Sequence, residues 1–183
     1  MQIFHPHAAR SVPEPFSYLD WIFELKYDGF RALAEIEYGR CRLISRNGNA
    51  FATFQDLAQR IGKMFPHNRV VLDGEIVCLD KRGRPQFKNL LFHRGGPSFV
   101  AFDLLYNTGI DLRREQVLDR KAAVRRLLLH IPRDEPLMYV DQVEQHGEAL
   151  FQRVCKVDLE GIVAHSRPGR MSAKVRKALG GKS

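Results

Sequence analysis

Cysteine is scarce in this chain: Cys41, Cys78 and Cys155 are the three in 183 residues, and they stand far apart. An odd, dispersed set provides neither the bridges that staple small secreted folds nor the closely spaced thiolates of a zinc site, and it suits a reducing cytoplasm. Apolar runs are short. None approaches the ~20 residues that span a bilayer, and the N-terminus has no basic segment leading into an apolar core, so neither membrane insertion nor export is expected. No segment recurs at a fixed period and none is of low complexity, which excludes solenoids and disordered tracts. Acidic residues stop at Glu160, whereas Arg167, Arg170, Lys174, Arg176, Lys177 and Lys182 follow it.

What is present suits one packed domain. Hydrophobic residues make up 44% and charged residues 27%, enough to bury a core at this length. The formal charge of +8 favours a polyanionic partner such as nucleic acid or nucleotide phosphates, although the basic C-terminal residues also read as a solvated tail. Residues 1–20, with Pro13 and Pro15, read as an irregular lead-in, 21–177 as the domain and 178–183 as a basic tail. Trp21–Leu25, Arg31–Glu37 and Cys41–Ser45 have strand character, with Lys26–Gly29 read as a turn, an ordinary hairpin being its plain alternative, and Asn47-Gly48 as another turn. Phe54, Leu57, Ala58 and Ile61 recur at helical spacing, predicting a helix over 54–64 with Thr53 as its N-cap. Helices are expected again over 116–129 and 148–156. Strands are expected at 70–72, 76–79, 99–105, 137–140 and 162–164, giving an α+β fold of antiparallel sheets flanked by helices.

Several short elements carry chemistry. In Lys26-Tyr27-Asp28-Gly29-Phe30-Arg31 an amine sits at the end of an apolar strand, where desolvation or a nearby cation can free it for nucleophilic attack. Arg31 is a candidate for holding a phosphate or ribose oxygen. Asp73-Gly74-Glu75 reads as a carboxylate pair at a bend between two strands, suited to a ribose hydroxyl or a metal-bound water. Phe102, beside Asp103, is a candidate for stacking on a purine, with core packing as its commoner role. Glu160-Gly161 precedes a buried-type strand and offers a metal carboxylate. In Lys174-Val175-Arg176 an extended backbone would put both cations on one face, where they can neutralise a triphosphate.

Taken in order, Lys-x-Asp-Gly-x-Arg, Ser45-Arg46-Asn47-Gly48, Asp73-Gly74-Glu75, Phe102-Asp103, Glu160-Gly161 and Lys174-x-Arg176 resemble the motifs of ATP-dependent DNA ligases. The similarity is strongest to the ligase domains of bacterial end-joining ligases and runs from about Trp21 to Arg176. It implies an ATP-grasp-like nucleotidyltransferase core in which Lys26 attacks ATP and carries AMP as a phosphoramidate. By the same resemblance Glu24 and Phe102 meet the adenine, Arg31 and Glu75 the ribose, Arg46 a phosphate, and Lys174 with Arg176 the triphosphate. Glu75 and Glu160 support Mg2+. AMP then passes to the 5′-phosphate of nicked or broken duplex DNA, and a 3′-hydroxyl seals the strand.

The chain departs from that pattern in places. His165 stands where the family has lysine, Ser172 and Ala173 replace the usual aromatic residue before Lys174, and Arg176 replaces lysine. The sequence stops where such ligases continue into an oligonucleotide-binding barrel, which implies a separately encoded barrel or end-joining partner, or a homologue that binds nucleotide and DNA without full ligation. An RNA ligase or capping-type nucleotidyltransferase shares the lysine-centred core. Gly180-Gly181-Lys182-Ser183 lacks the earlier glycine of a phosphate-binding loop, and His5 and His7 read as solvated.

Overall fold

The structure, a computed structural model, describes residues 10–157, 159–167 and 172–176. In chain order its strands are β1 (Arg10–Val12), β2 (Trp21–Lys26), β3 (Phe30–Glu37), β4 (Arg40–Ser45), β5 (Arg69–Cys78) and β6 (Pro97–Asn107). They continue with β7 (Ile110–Asp111), β8 (Leu137–Tyr139), β9 (Gln142–Glu144), β10 (Gly161–Ser166) and β11 (Ser172–Arg176). The helices are α1 (Gln55–Lys63), α2 (Phe87–Leu91), α3 (Val117–Leu128) and α4 (Gly147–Lys156). Among the described residues, Asp28–Val140 form one compact unit and the stretches on either side of it form a second. The fold is α+β, as the sequence implies. No helix among the described residues is long and apolar enough to cross a membrane.

In the unit Asp28–Val140 the sheet runs β4-β3-β5-β6-β7, with β8 parallel to β6. Alternation along β3 sends Ala32, Ala34 and Ile36 into the main core with Leu72, Ile76, Phe99 and Leu104. Leu57, Ala58 and Ile61 of α1, together with Val124 and Leu128 of α3, close that core. The opposite face holds a smaller cluster of Leu33, Ile44, Val71 and Leu105. Thr53 does not cap α1. It lies inside a one-turn 3-10 helix, Ala52–Phe54, and Phe54 takes the N-cap position without a side-chain bond.

Two further expectations are corrected. Asp73-Gly74-Glu75 is no bend between strands: β5 runs unbroken through it, and Gly74 is there because a Cβ would lie 2.4 Å from the Phe99 ring. Nor do β2 and β3 form a hairpin across Asp28-Gly29. The partners of β2 are β10 and β9, while those of β3 are β4 and β5, so the turn signal carries the chain between sheets.

The second unit is built on the sheet β1-β11-β10-β2-β9, antiparallel except where β1 meets β11. Its apolar face gathers Phe23, Ile162, Ala164, Ala173 and Val175 under Val154 of α4, with Leu150 and Phe151 packed alongside. Full burial of residues such as Phe23 and Ile162 contributes on the order of 1.5–3 kcal/mol each.

Cys41 on β4 packs against the main core. Burial, assisted by the Glu35 carboxylate, pushes its thiol from the ordinary 9.0 up to about 12. The folded state therefore favours the protonated thiol. That contribution is whole below pH 9.0 and disappears as pH climbs from there towards about 12. Urea titrations of wild type and Cys41→Ala across this range should show the wild type losing stability more steeply. Parallel pH profiles would contradict the assignment.

Candidate functional site

The register of the second unit's sheet decides which residues share its polar face. Lys26 pairs with Gly161, which pairs with Arg176; Glu24 pairs with Val163, which pairs with Lys174; Ile22 pairs with His165, which pairs with Ser172. Residues two apart on a strand point the same way, so Lys26, Glu24, Lys174, Arg176 and His165 all belong to the face opposite α4. The expected alternation of Lys174 and Arg176 about the buried Val175 is present.

Lys26 and Glu160 form an ion pair through Nζ and Oε2, with side-chain exposures of 14% and 25%. Arg176 Nε approaches the other oxygen, Oε1, at 3.4 Å. One carboxylate thus organises two cations that flank Gly161, where a Cβ would stand 2.0 Å from the Val175 carbonyl oxygen. Along the same face, His165 Nδ1 lies 2.9 Å from Ser172 Oγ and Nε2 lies 3.4 Å from Glu24 Oε2. Glu24 is only 3% exposed, so its carboxylate is shielded from water. His165 is therefore tethered on both ring nitrogens, by Ser172 and by the shielded Glu24.

In the unit Asp28–Val140 a separate group forms around Arg31. Its Nε and one terminal nitrogen donate to Asp73 Oδ1 and Oδ2 at 2.6 and 2.7 Å, and its guanidinium carbon lies 4.3 Å from the centroid of the Phe102 ring. Burial works against the guanidinium charge, but Asp73, aided by Glu75 and Asp103, outweighs it and holds the group above the ordinary arginine value. Asp73, half of the carboxylate pair expected at a ribose hydroxyl or a metal-bound water, is held by the Arg31 guanidinium. Glu75 sits opposite Arg31 in register and is half-buried. Arg46 is exposed in the turn after β4.

Sequence reading passed over the residues behind Phe102. Arg120 Nε and a terminal nitrogen hold Asp103 Oδ1 and Oδ2 at 2.8 and 2.9 Å, and Lys121 Nζ donates to the Phe102 carbonyl oxygen at 2.6 Å. Both belong to a helix predicted for its apolar periodicity, where two cations read as solvent-facing. The available signal was that Arg120 and Lys121 lie in phase with Val117 and Val124.

The family profile described as ATP dependent DNA ligase domain matches residues 7–179. The chain belongs to this family. Its ligase domain is 36% identical over 164 residues to the multifunctional non-homologous end joining protein LigD of Pseudomonas aeruginosa, covering 86% of this chain and 19% of that protein. It is 32% identical to the bifunctional LigD of Bacillus subtilis, covering 87% of this chain and 30% of the relative. The ligase domain thus spans less than a third of either relative. Among solved structures, a mycobacterial DNA ligase D complexed with ATP and MES aligns with a TM-score of 0.76 at 30% identity, over 92% of this chain and 60% of that one. The ligase domain of LigD from M. tuberculosis gives 0.77 at 29% identity, over 92% and 58%.

Proposed function

We propose that this ligase domain is the adenylating core of a DNA ligase and that Lys26 carries the AMP. The observation that supports it most is the Lys26–Glu160 ion pair, flanked by Arg176, on the polar face of the second unit's sheet. Lys26 Nζ attacks the α-phosphorus of ATP. A P–N bond forms, the bond from the α-phosphorus to the bridging oxygen breaks, and pyrophosphate leaves with that oxygen. The amine must shed a proton to attack, and Glu160 Oε2 already accepts a hydrogen bond from it.

The remaining roles follow the family motifs. Phe102 offers a ring to the purine, and Glu24 accepts from the adenine edge. Arg31 and Glu75 hold the ribose, Arg46 a phosphate, and Lys174 with Arg176 neutralise the triphosphate. Charge that spreads over phosphoryl oxygens during transfer is stabilised by such fixed cations more than the ground state is. The mycobacterial relative solved with ATP supports this nucleotide.

Mg2+ belongs to the same reading. Glu75 and Glu160 are hard carboxylate donors of the kind it takes. That fits a cation which binds one or two carboxylates and keeps water and substrate phosphates for its other positions. When bound it supplies charge neutralisation at the triphosphate.

AMP then moves to the 5′-phosphate of nicked or broken duplex DNA, and attack by the 3′-hydroxyl seals the strand and releases AMP. The end-joining names of the relatives support broken DNA as substrate and their organisms a bacterial setting, in which the cytoplasm is the proposed location. A separate oligonucleotide-binding barrel or end-joining protein is the proposed partner. One observation favours a second reading, nucleotide and DNA binding without complete ligation: His165 is held by Glu24 and Ser172 where the family has a lysine.

Incubation with Mg2+ and ATP labelled at either the α- or the γ-phosphate tests the first step. Label from the α-position alone should stay with the denatured protein. Retention of neither label, or of γ-label, would refute adenylation.

A further inference from the structure

The pairing of β5 with β6 breaks register beside the Arg31–Asp73 pair. Asp73 faces Asp103 and the next residue, Gly74, faces Ala101, so Phe102 is an extra residue: a β-bulge. A bulge leaves its additional residue out of the ladder, bends the strand and re-aims a side chain, and it carries the cost of backbone groups without strand partners. Here the Phe102 carbonyl oxygen is met by Lys121 Nζ at 2.6 Å. Lys121 is itself only 2% exposed. An ammonium at that depth is rare and loses its hydration, so a structural role alone would be served as well by an apolar side chain on α3 and a regular strand.

The neighbouring residue is fixed as firmly. Asp103 is gripped by both prongs of Arg120, whose third nitrogen donates to the Glu115 carbonyl oxygen at 2.7 Å beside the start of α3. Asp103 Oδ1 also accepts from the Leu104 amide at 2.9 Å. On the other side, Arg31 lies over the Phe102 ring and is itself locked by Asp73, the residue opposite Asp103. Of the two cations of α3, Lys121 thus pins the Phe102 carbonyl and Arg120 the side chain of the residue after it, while the Phe102 ring remains half-buried.

We infer that Lys121 and Arg120 are positioning residues that hold the β6 bulge so that Phe102 presents a fixed stacking face to a purine base. The inference rests on the proposed role of Phe102 and deepens it. Neither cation touches the nucleotide. Lys121 acts through the Phe102 carbonyl and Arg120 through the Asp103 side chain, so their loss should weaken ligands that have a base and spare those that have none.

The test uses the full chain, with ATP and inorganic tripolyphosphate as probes in the presence of Mg2+. Lys121→Met should weaken ATP binding about tenfold, within what stacking on an aromatic ring supplies, and leave tripolyphosphate binding unchanged. In a Phe102→Ala background the same substitution should change ATP binding less than about twofold, since coupled residues lose additivity. Lys121→Arg, which keeps a donor, should restore most of the affinity. Equal losses for the two probes, or an undiminished effect without the Phe102 ring, overturn the inference. If Lys121→Met does not fold, Arg120→Lys takes its place with the same expectation and the same overturning results. Should Phe102→Ala itself leave ATP binding intact, the stacking role falls and the inference with it. A Phe102→Ala defect unaccompanied by one from Lys121→Met overturns the positioning role alone.

Discussion

Lys26→Arg should eliminate covalent AMP transfer, a loss on the order of 10⁴-fold or more, while leaving the fold intact. Arginine keeps the positive charge and can keep an ion pair with Glu160, so the polar face of the second unit's sheet retains its electrostatics. What it lacks is a nitrogen that can surrender a proton near neutral pH and attack phosphorus. The substitution therefore separates charge from nucleophilicity. Thermal melting should overlay that of wild type, and denaturing gels after incubation with α-labelled ATP should show no labelled band. Label retained on the arginine variant would move the nucleophile elsewhere.

The largest effect on stability is expected at Arg120. Its side chain is 6% exposed and that of Asp103 is 13% exposed, and they meet through two hydrogen bonds. Arg120→Met leaves the carboxylate buried without its guanidinium, which typically costs about 3–5 kcal/mol. Against a total stability of roughly 5–15 kcal/mol, that is a large fraction. In a chain of this size it corresponds to a melting temperature lower by roughly 6–20 °C. Asp103→Asn combined with Arg120→Met should recover part of the loss, because the stranded charge is gone. Calorimetry of the wild type, both single variants and the double variant checks this. Strict additivity would mean that the pair is not coupled.

Most of the regular framework was legible from periodicity. The alternation of β3, the apolar spacing of α1, and the expected opposition of Lys174 and Arg176 to Val175 depend on neighbours two to four residues away, and the structure reproduces them. The features that failed depend on distant partners. Asp28-Gly29 is a turn signal, but whether a turn closes a hairpin or carries the chain to another sheet is decided by what pairs with β2 and β3. Asp73-Gly74-Glu75 has the composition of a bend, yet Arg31 neutralises Asp73 and the Phe99 ring occupies the room a Cβ at Gly74 would need, so the strand continues. The three-residue strands β1 and β9 are too short to show alternation and lie at the two edges of their sheet.

The candidate site was legible to the same degree. Residue types in order pointed to a lysine, a carboxylate after it and a pair of cations, and the register brings Lys26, Glu160 and Arg176 to one end of one face. The devices that hold these groups were not. Nothing local marks Phe102 as a bulge, and only their phase with Val117 and Val124 sets Arg120 and Lys121 apart from the exposed arginines that follow them. The expectation for residues 178–183 lies outside the described residues.

The most direct test of the account is where AMP ends up. The intact chain is incubated with ATP and Mg2+, weighed by mass spectrometry and then digested to locate the modification. A single adenylate joined to the Lys26 side chain is the expected result. An unmodified chain that is folded and supplied with nucleotide, or an adenylate found on another residue, would contradict it.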